Sequence, residues 1–390
     1  MSSTQVGIVG AGPAGLTLAR LLHVEGIESV ILENRSRAYV EARIRAGVLE
    51  HDVAELLDRA GVAERMRREG LVHTGVELQS GGVRHRIDFA ELTGKSIVVY
   101  GQTEIVKDLI EDRLETGGQL HFEVDDVSLH HLQSDRPRIR FRRDGTEEEL
   151  ECDVVAGCDG FHGISRPSIP EGILREYHRE YPYGWLGILA EVGPSNEELV
   201  YAHNETGFAL LSMRSPELSR LYLQCSPGED VDLWPDERIW AELQARLGVH
   251  GWTLHEGPIV EKGVTPMRSF VAEPMQWGNL FLAGDAAHIV PPTGAKGLNL
   301  AVRDVAVLAE ALVAWLRDGD RRKLDAYSET CLRRVWRAEH FSWWMTTMLH
   351  TSPDDDEFAL RLQLSQLRYL RTSRAAATSL AENYVGVDRA

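Results

Sequence analysis

Cysteines and long apolar runs are scarce in this sequence, and each shortage excludes a class of protein. The four cysteines, Cys152, Cys158, Cys225 and Cys331, form no CxxC pair and no spacing typical of a disulfide framework. No apolar run approaches the roughly 20 residues that a membrane-spanning helix needs. The N-terminus carries no basic region followed by an apolar segment and a cleavage site. A cytoplasmic protein with reduced thiols and no membrane partner is therefore predicted.

Positive charge is also in deficit. The chain carries 42 Lys and Arg against 60 Asp and Glu, which gives a net charge of −18 at pH 7. Nucleic-acid binding needs a basic surface, so this composition argues against it. An anionic ligand would be repelled by the overall field, so a site for one requires arginines placed locally. His130 and His131 have no convincing third ligand nearby in sequence, and no metal site is predicted.

The start of the chain carries a strand, a glycine-rich turn, a helix and a second strand. Apolar residues predict strands over 5–9 and 29–32, with a helix of about 12 residues from Ala14 between them. The turn at 10–15 reads GAGPAG and matches GxGxxG in the context that this motif requires. This order predicts a dinucleotide site, although it does not separate FAD from NAD.

Each glycine of that turn has a physical role. Gly10 permits the tight turn, Gly12 lets the backbone approach a pyrophosphate, and Gly15 lets the helix pack close to the sheet. The N-terminus of the helix supplies free amides and a partial positive charge. Glu33, at the end of the second strand, can accept hydrogen bonds from ribose hydroxyls.

Farther along, hydrophobic periodicity divides the chain into helical and strand-rich parts. Helices are predicted over 48–60, 102–114 and 237–247, from 297 onward, and through most of the chain past 304. Short strands are predicted over 72–99, 121–157, 181–262 and 280–284. These patterns indicate an α/β fold: a Rossmann-like dinucleotide-binding domain with an inserted strand-rich substrate domain and C-terminal helices. The predicted ranges are 1–72, 98–180 and 268–318 for the first domain, 73–97 and 181–267 for the second, and 319–390 for the helical region.

Two more aspartates follow predicted buried strands. Asp159 belongs to a CDGFHGISR segment and Asp285 to an LAGDAAH segment. An aspartate at the carboxyl edge of a sheet is placed where ligands bind, and Asp285 is suited to hold the ribityl hydroxyls of a flavin. Taken alone, the Asp-Gly dipeptide at 159–160 or the Gly-Asp dipeptide at 284–285 could equally be a plain turn. Three such sites in this order favour a flavin site.

These three motifs, in this order, resemble the fingerprints of the group A flavoprotein aromatic hydroxylases. The resemblance continues through blocks at 43–50, 284–299, 341–345 and 382–386, and it spans essentially the whole chain. It implies a Rossmann-like FAD-binding domain, FAD as cofactor, NADH or NADPH as co-substrate, O2 as oxidant, and a homodimer. The matching blocks are those of members that convert 4-hydroxybenzoate to 3,4-dihydroxybenzoate through a flavin C4a-hydroperoxide.

A carboxylate receptor is predicted on two neighbouring strands. Ser212 and Arg214 share one face of a strand, and Arg220 and Tyr222 share a face of the next. A guanidinium binds a carboxylate through two parallel bonds, and a hydroxyl and a phenol can each add one. Spacing alone leaves a surface salt bridge for Arg214 as an equal alternative. The resemblance implies that Ser212, Arg214 and Tyr222 hold the substrate carboxylate.

The resemblance also implies a proton relay and a pocket wall. Tyr201 would bond the substrate phenol, Tyr384 would follow it in the relay, and His73 would be the solvent end. Pro292 would offer its carbonyl to the substrate hydroxyl. Removing that proton makes the ring a better electron donor, and a histidine titrates near neutral pH. The matching apolar wall positions are Trp185, Leu199 and Leu210.

The predicted cofactor contacts come from several segments. The amides of Gly297, Leu298 and Asn299 would stabilise negative charge on the flavin ring from a helix N-terminus, and Arg220 would favour its reduced, in-position state. The complete set is Gly10, Gly12, Ala14, Gly15, Glu33, Arg43, Arg45, Gln102, Asp159, Arg220, Asp285, Gly297, Leu298 and Asn299.

Nicotinamide preference depends on the residue after Glu33. NADPH-dependent relatives have an arginine there, whereas this chain has Asn34, with Arg35, Arg37 and Tyr39 nearby. A 2′-phosphate needs a close cation, so NADH or mixed use is expected. The alternatives are a related hydroxylase of another phenolic or amino benzoate, a flavin dehydrogenase or oxidase, and a non-catalytic nucleotide sensor.

Overall fold

A computed structural model describes residues 2–43 and 47–386. In the described residues the helices are α1 (Pro13–Val24), α2 (Arg37–Ala42), α3 (His51–Arg59), α4 (Glu64–Glu69), α5 (Phe89–Thr93), α6 (Gln102–Glu115), α7 (Asp236–Leu247), α8 (Gly297–Asp318), α9 (Arg322–Asp325), α10 (Tyr327–Leu349), α11 (Glu357–Thr372) and α12 (Arg374–Val385). The strands are β1 (Ser2–Ser3), β2 (Val6–Val9), β3 (Ser29–Leu32), β4 (Val48–Leu49), β5 (Leu71–His73), β6 (Gly75–Ser80), β7 (Val83–Asp88), β8 (Ile97–Val99), β9 (Gln119–His121), β10 (Asp125–His130), β11 (Arg138–Arg143), β12 (Thr146–Glu151), β13 (Val154–Gly157), β14 (Arg175–Ala190), β15 (Val200–Ala202), β16 (Ala209–Ser215), β17 (Leu218–Cys225), β18 (Ile259–Glu273), β19 (Gln276–Trp277), β20 (Leu280–Leu282) and β21 (His288–Ile289).

A six-stranded sheet carries the dinucleotide motif. Its strand order is β19-β20-β13-β2-β3-β9, and every neighbouring pair is parallel except β19 with β20. The central strands β2, β3 and β13 are buried along their whole length, as their unbroken apolar sequences require. Helix α1 packs against both α6 and α8. Ligands of such sheets bind outside the carboxyl ends of the strands, where β2, β13 and β20 end together.

An eight-stranded sheet forms the other large layer, in the order β21-β18-β14-β17-β16-β15-β6-β7. The long strands β14 and β18 pair antiparallel along most of their length, and β15 pairs parallel with β6. Four strands (β1-β12-β11-β10) and three strands (β4-β8-β5) form two smaller sheets. Within 2–43 and 47–386, no helix is both long enough and apolar enough to cross a bilayer.

Helix α10 joins two hydrophobic cores. Its first half contributes Tyr327, Cys331 and Val335 to the core around the six-stranded sheet. Its second half contributes Met345 and Leu349 to the core beneath the eight-stranded sheet. One rigid helix therefore relates the two sheets, and residues near its C-terminal end face the second core.

The α/β architecture with C-terminal helices is as predicted, but two local predictions were wrong. Val48 and Leu49 form β4 instead of a helical turn, because they pair with Val98 and Val99 of β8. The helix predicted over 48–60 begins only at His51. The strand-like stretch over 72–99 also contains α5, whose first turn is capped by the Asp88 carboxylate accepting from the Glu91 N–H at 2.8 Å. Tertiary pairing and a cap overrode local periodicity in these places.

Candidate active site

The glycine-rich turn has the backbone geometry that its sequence predicts. Gly10 has φ +103°, and a Cβ on Gly15 would lie 2.0 Å from the Gly10 carbonyl oxygen. A Cβ on Gly12 would meet no protein atom within 4 Å, so space is open beside it. Gly12 is the N-cap of α1, and no side chain caps that helix end. The first amides of α1 are thus available to an anion.

Glu33 closes this turn. Its Oε2 accepts a hydrogen bond from the Ala11 N–H at 2.7 Å, and its Oε1 accepts from the Arg35 N–H at 2.8 Å. Ala14, in the first turn of α1, is buried against the sheet. A carboxylate has about four acceptor positions, so Glu33 keeps capacity for ribose hydroxyls after these two bonds.

Asp159 follows β13 and organises its own loop. Its Oδ2 accepts from the backbone N–H and the hydroxyl of Ser165, at 2.8 and 2.9 Å. Burial raises the pKa of this carboxyl. Its Oδ1 is buried and has no hydrogen-bond partner among the described atoms. One oxygen holds the loop, and the other is available to a ligand.

The Asp285 loop rests on a buried ion pair. His288 Nε2 lies 2.6 Å from Asp304 Oδ2, and the same oxygen accepts from the Gly284 N–H at 3.0 Å. Burial opposes the charged imidazole, but Asp304 outweighs it, so the pKa of His288 is raised. Asp285 itself is exposed at the end of β20. The loop is therefore held from beneath while its aspartate stays accessible.

The N-terminus of α8 presents amides without a side-chain cap, at Gly297 and Leu298. The side chain of Asn299 has hydrogen-bond partners of its own at this helix end. Its amide nitrogen donates to the Val48 and Ala295 carbonyls, at 2.9 and 2.8 Å. Its oxygen accepts from the Glu50 N–H at 2.9 Å. The Asn299 side chain thus anchors β4 to this helix end and leaves only its backbone amide for a cofactor.

The remaining predicted cofactor residues surround this edge. Arg43 is exposed and ends α2, and Gln102 is half-buried and begins α6. Arg45 lies outside the described residues. Two uncapped helix ends for a pyrophosphate and a ring anion, together with Glu33, the orphaned Oδ1 of Asp159 and exposed Asp285 for hydroxyls, fit FAD.

The substrate-side residues lie on one face of the eight-stranded sheet. Tyr201 pairs with Leu210, Leu210 pairs with Tyr222, and Tyr222 pairs with Gly187. Residues directly opposite one another in a sheet share a face. Tyr201 and Tyr222 therefore stand two strand spacings, about 10 Å, apart on the same face. Ser212 lies two residues beyond Leu210 on the same strand and so belongs to this face as well.

The Tyr222 end of this face is cationic. Burial raises the pKa of the Tyr222 phenol, but the guanidinium groups of Arg214 and Arg220 more than offset it, so that pKa lies below its usual value. Ser212 is buried and pairs with Arg220 across the strands. The Arg220 guanidinium lies 3.4 Å from the Glu261 carboxylate. Two guanidinium groups, a hydroxyl and a phenol together offer hydrogen-bond donors that a carboxylate could accept from.

The Tyr201 end carries a pair of phenols. Tyr201 and Tyr384 oxygens lie 2.5 Å apart, and both side chains are almost fully buried. Burial raises the pKa of both phenols. Phe89 stacks on the Tyr384 ring at 5.0 Å and holds it in place. A hydrogen-bonded pair of this kind can pass a proton from one oxygen to the other.

His73 and Pro292 stand apart from this pair. His73 is buried on β5, and burial lowers the pKa of its imidazole while Glu198 opposes that shift. In the described residues, no hydrogen bond joins His73 directly to Tyr384, so a relay between them requires water. Pro292 is exposed, and its carbonyl accepts from the Ala295 N–H at 2.9 Å, which leaves one lone pair for another donor.

The sequence did not indicate a buried ion pair that lies beside the Tyr201–Tyr384 pair. Lys296 Nζ donates to Glu50 Oε1 at 2.5 Å and to the Tyr384 carbonyl at 2.9 Å. Both charged side chains are nearly inaccessible. Lys296 lies inside the block 284–299, which also contains the predicted cofactor contacts Gly297, Leu298 and Asn299. No local signal shows that a lysine there is buried, since Glu50 is 246 residues away.

Comparisons with known proteins agree with this geometry. Residues 3–342 match the family described as FAD binding domain. The p-hydroxybenzoate hydroxylase of Acinetobacter baylyi is 48% identical over 386 residues, covering 98% of this chain and 95% of that protein. A 3-(3-hydroxy-phenyl)propionate/3-hydroxycinnamic acid hydroxylase of Mycobacterium sp. (strain JLS) is 24% identical over 343 residues, covering 84% of this chain and 56% of that protein.

Solved structures share the fold. p-Nitrophenol 4-monooxygenase from Pseudomonas putida DLL-E4 aligns with a TM-score of 0.84 at 20% identity, covering all of both chains. Anhydrotetracycline hydroxylase from Streptomyces rimosus aligns with a TM-score of 0.78 at 23% identity, covering 99% of this chain and 76% of that one. The predicted FAD-binding fold is thereby confirmed. The chain belongs to the FAD binding domain family and, within it, to the flavoprotein aromatic hydroxylases related to p-hydroxybenzoate hydroxylase.

Proposed function

We propose that this protein hydroxylates 4-hydroxybenzoate at position 3, giving 3,4-dihydroxybenzoate, with FAD, NADH or NADPH, and O2. One observation carries the proposal: a cationic receptor at Tyr222 and a phenol pair at Tyr201 stand about 10 Å apart on one sheet face. A para-hydroxylated benzoate carries a carboxylate and a phenol at opposite ends of one ring. The relative from Acinetobacter baylyi, named p-hydroxybenzoate hydroxylase, supports the same substrate.

In this proposal the receptor orients the ring. Arg214 binds the carboxylate through two parallel bonds, and the hydroxyls of Ser212 and Tyr222 each donate one more. The overall charge of −18 repels an anion, so the local guanidinium groups decide whether it binds. Trp185 and Leu210 exclude water from the ring, since both are nearly inaccessible.

The phenol pair prepares the ring for oxidation. Tyr201 accepts a hydrogen bond from the substrate hydroxyl and takes up its proton as its own proton moves to Tyr384. The proton then leaves through water toward His73, whose imidazole is uncharged at neutral pH because burial lowers its pKa. The Pro292 carbonyl is a second acceptor for the substrate hydroxyl. A phenolate is a stronger electron donor than a phenol at the ring carbon beside the oxygen.

The cofactor set of this chain would hold FAD along the carboxyl edge of the six-stranded sheet. The amides of α1 would bind the pyrophosphate, and the amides of α8 would face the flavin ring. Glu33 would accept hydrogen bonds from the ribose. Asp285 would bind the ribityl hydroxyls, and Asp159 would contact the cofactor from its loop. Gln102, Arg43 and Arg45 are further proposed contacts, and Arg220 is proposed to favour the reduced ring. When bound, FAD supplies hydride acceptance and oxygen activation.

NADH or mixed use is proposed for the reductant. Asn34 takes the place of an arginine, and the nearby cations are already engaged. Arg37 Nε lies 2.6 Å from Glu41 Oε1, and the Arg35 guanidinium lies 5.3 Å from the Tyr39 ring centre. A 2′-phosphate would have to compete with Glu41 for Arg37. These contacts support weaker NADPH recognition than in relatives with the arginine.

Domain limits, assembly and location are proposed as well. The proposed ranges are 1–72, 98–180 and 268–318 for the FAD-binding domain, 73–97 and 181–267 for the substrate domain, and 319–390 for the helical region. Strands β5, β8, β14 and β18 each cross one of these limits. A homodimer is supported by an exposed apolar stripe on α11, formed by Phe358, Leu362 and Tyr369. Cytoplasmic location is supported by four buried, unpaired cysteines. Sedimentation of the protein and of Leu362→Glu would test the dimer.

The decisive experiment mixes purified protein with 4-hydroxybenzoate and follows NADH and NADPH oxidation separately, together with 3,4-dihydroxybenzoate. Stimulated oxidation with near-equal catechol product is expected, faster with NADH than with NADPH or similar with both. Stimulated oxidation that yields only H2O2 would move the substrate to another phenolic or amino benzoate. Lack of stimulation by either nucleotide would overturn the substrate proposal.

A further inference from the structure

His350 lies at the centre of the aromatic core beside the substrate face. It follows the last residue of α10, and only 1% of it is accessible. Its ring centre lies 4.3 Å from that of Phe208 and 4.8 Å from that of Tyr183, and both rings are stacked on it. Such a place ordinarily suits an apolar side chain, so a histidine with two polar nitrogens requires partners for both.

Hydrogen bonds determine the protonation state of this imidazole. Nδ1 lies 2.9 Å from the Thr346 carbonyl, which can only accept, so Nδ1 carries the proton. Nε2 lies 2.7 Å from the indole Nε1 of Trp185, which can only donate, so Nε2 is an unprotonated acceptor. The ring is therefore neutral. Burial agrees with this, because it lowers the pKa of His350 to about 3.

Trp185 connects this histidine to the substrate face. It lies two residues before Gly187, which pairs with Tyr222, so Trp185 and Tyr222 stand on the same face. Their ring centres are 4.7 Å apart. Tyr222 in turn lies beside the guanidinium groups of Arg214 and Arg220. A continuous series of contacts thus runs from the end of α10 to the carboxylate receptor.

We propose that His350 is a positioning residue that sets the orientation of the Trp185 indole and, through it, the carboxylate end of the substrate pocket. The identity of the substrate rests on the proposed function, whereas the orientation of the Trp185 indole does not depend on it. An indole has an N–H on one edge only, so a single acceptor at 2.7 Å selects one of its two flipped orientations. The selected orientation presents a defined ring surface to Tyr222.

Three variants test the proposal in the holoenzyme. His350→Leu removes the acceptor, and the KM for 4-hydroxybenzoate should rise about tenfold, since one buried hydrogen bond and the orientation that it sets are lost. The kcat and the KM for NADH should change less than about twofold, because neither depends on the receptor. His350→Gln retains an acceptor oxygen and should restore most of the affinity. In Trp185→Phe, which has no donor, adding His350→Leu should raise KM little further.

A spectroscopic readout separates this role from the proposed function. Among the nine tryptophans, the indole N–H resonance that disappears in Trp185→Phe belongs to Trp185. It should move strongly in His350→Leu and stay near its original position in His350→Gln. If 4-hydroxybenzoate fails to stimulate the unmodified protein, the proposed function falls, and this resonance still decides the positioning role.

His203 provides a matched control. It is a buried histidine whose Nδ1 lies 3.2 Å from the carbonyl oxygen of Leu349. Leu349 is the residue that precedes His350. His203→Leu should lower the free energy of unfolding. Unlike His350→Leu, it should leave the Trp185 resonance and the KM for 4-hydroxybenzoate near their original values. A Trp185 resonance that stays in place in His350→Leu, or equal KM increases from His350→Leu with and without the Trp185 indole, would overturn the proposal.

Discussion

The groups proposed to hold FAD are mostly peptide amides and a few carboxylates, and they come from short continuous segments. On the substrate side the groups are side chains from distant parts of the chain. Tyr201 and Tyr384 are 183 residues apart, and His350 is 165 residues from Trp185. The directions of backbone amides depend on local φ and ψ angles, and the unusual angles require glycine, so such a site leaves a glycine pattern in the sequence. Converging side chains leave no such pattern.

Burial differs between the two sides as well. Asp285 and Arg43, two of the proposed cofactor contacts, are exposed, whereas Tyr201, Tyr384 and His350 are almost inaccessible. Buried polar groups must satisfy one another, because each unpaired one costs about 1–3 kcal/mol. Substitutions on the substrate side should therefore spread to neighbouring residues, while those on the cofactor side should act through backbone geometry.

The largest expected effect is at the glycine-rich turn, where Gly15 is required by a close backbone contact and Gly12 by the room that a ligand needs. Gly15→Ala places a Cβ 2.0 Å from the Gly10 carbonyl oxygen, so the turn must open. We expect a loss of about 3 kcal/mol of unfolding free energy and no retained FAD. Thermal unfolding and flavin absorbance after gel filtration measure both.

Gly12→Ala is the matched variant, since its Cβ meets no protein atom within 4 Å. The flavin-free protein should keep its melting temperature, and FAD affinity should fall. Equal stability losses in Gly12→Ala and Gly15→Ala would contradict this account of the turn.

An intermediate effect would test the carboxylate receptor. Arg214→Lys removes the planar fork that binds a carboxylate through two bonds, so the KM for 4-hydroxybenzoate should rise about 100-fold. Ser212→Ala removes one neutral donor and should raise it about fivefold. Steady-state kinetics at saturating NADH measure both values. A larger effect in Ser212→Ala than in Arg214→Lys would show that the guanidinium is not the main anchor.

The smallest effect concerns acid stability. Burial lowers the pKa of His350 to about 3 in the folded protein, against 6.5 for an ordinary histidine. Between these two values the unfolded chain binds one more proton, so the free energy of unfolding falls as pH falls. Denaturant unfolding of the holoenzyme at pH 7 and pH 5 should show a shallower decline in His350→Gln. An unchanged decline in that variant would mean that His350 takes up a proton in the folded state.

Much of the cofactor side could be predicted from sequence alone, for a reason visible at Gly10 and Gly15. A positive φ and a close backbone approach each exclude a side chain, so the residue type reports the geometry. Arg220 and Tyr222 could also be placed on a common face of their strand, because strand periodicity is local. The hydrogen bonds of the Asn299 side chain left no local pattern, since its partners at Val48 and Glu50 lie about 250 residues earlier.

The sequence by itself determined the α/β class, the dinucleotide turn and the positions of the aspartates after buried strands. It also determined the strand alternation from which Ser212 and Arg214 were predicted to share a face. Each of these depends on residues a few positions apart. Only the tertiary structure decided that Tyr384 meets Tyr201, that Lys296 is buried against Glu50, and that His350 accepts from Trp185. Helices α10 and α12 bring His350 and Tyr384 to the sheet. The packing that places those helices is collective, so no single segment of sequence encodes it.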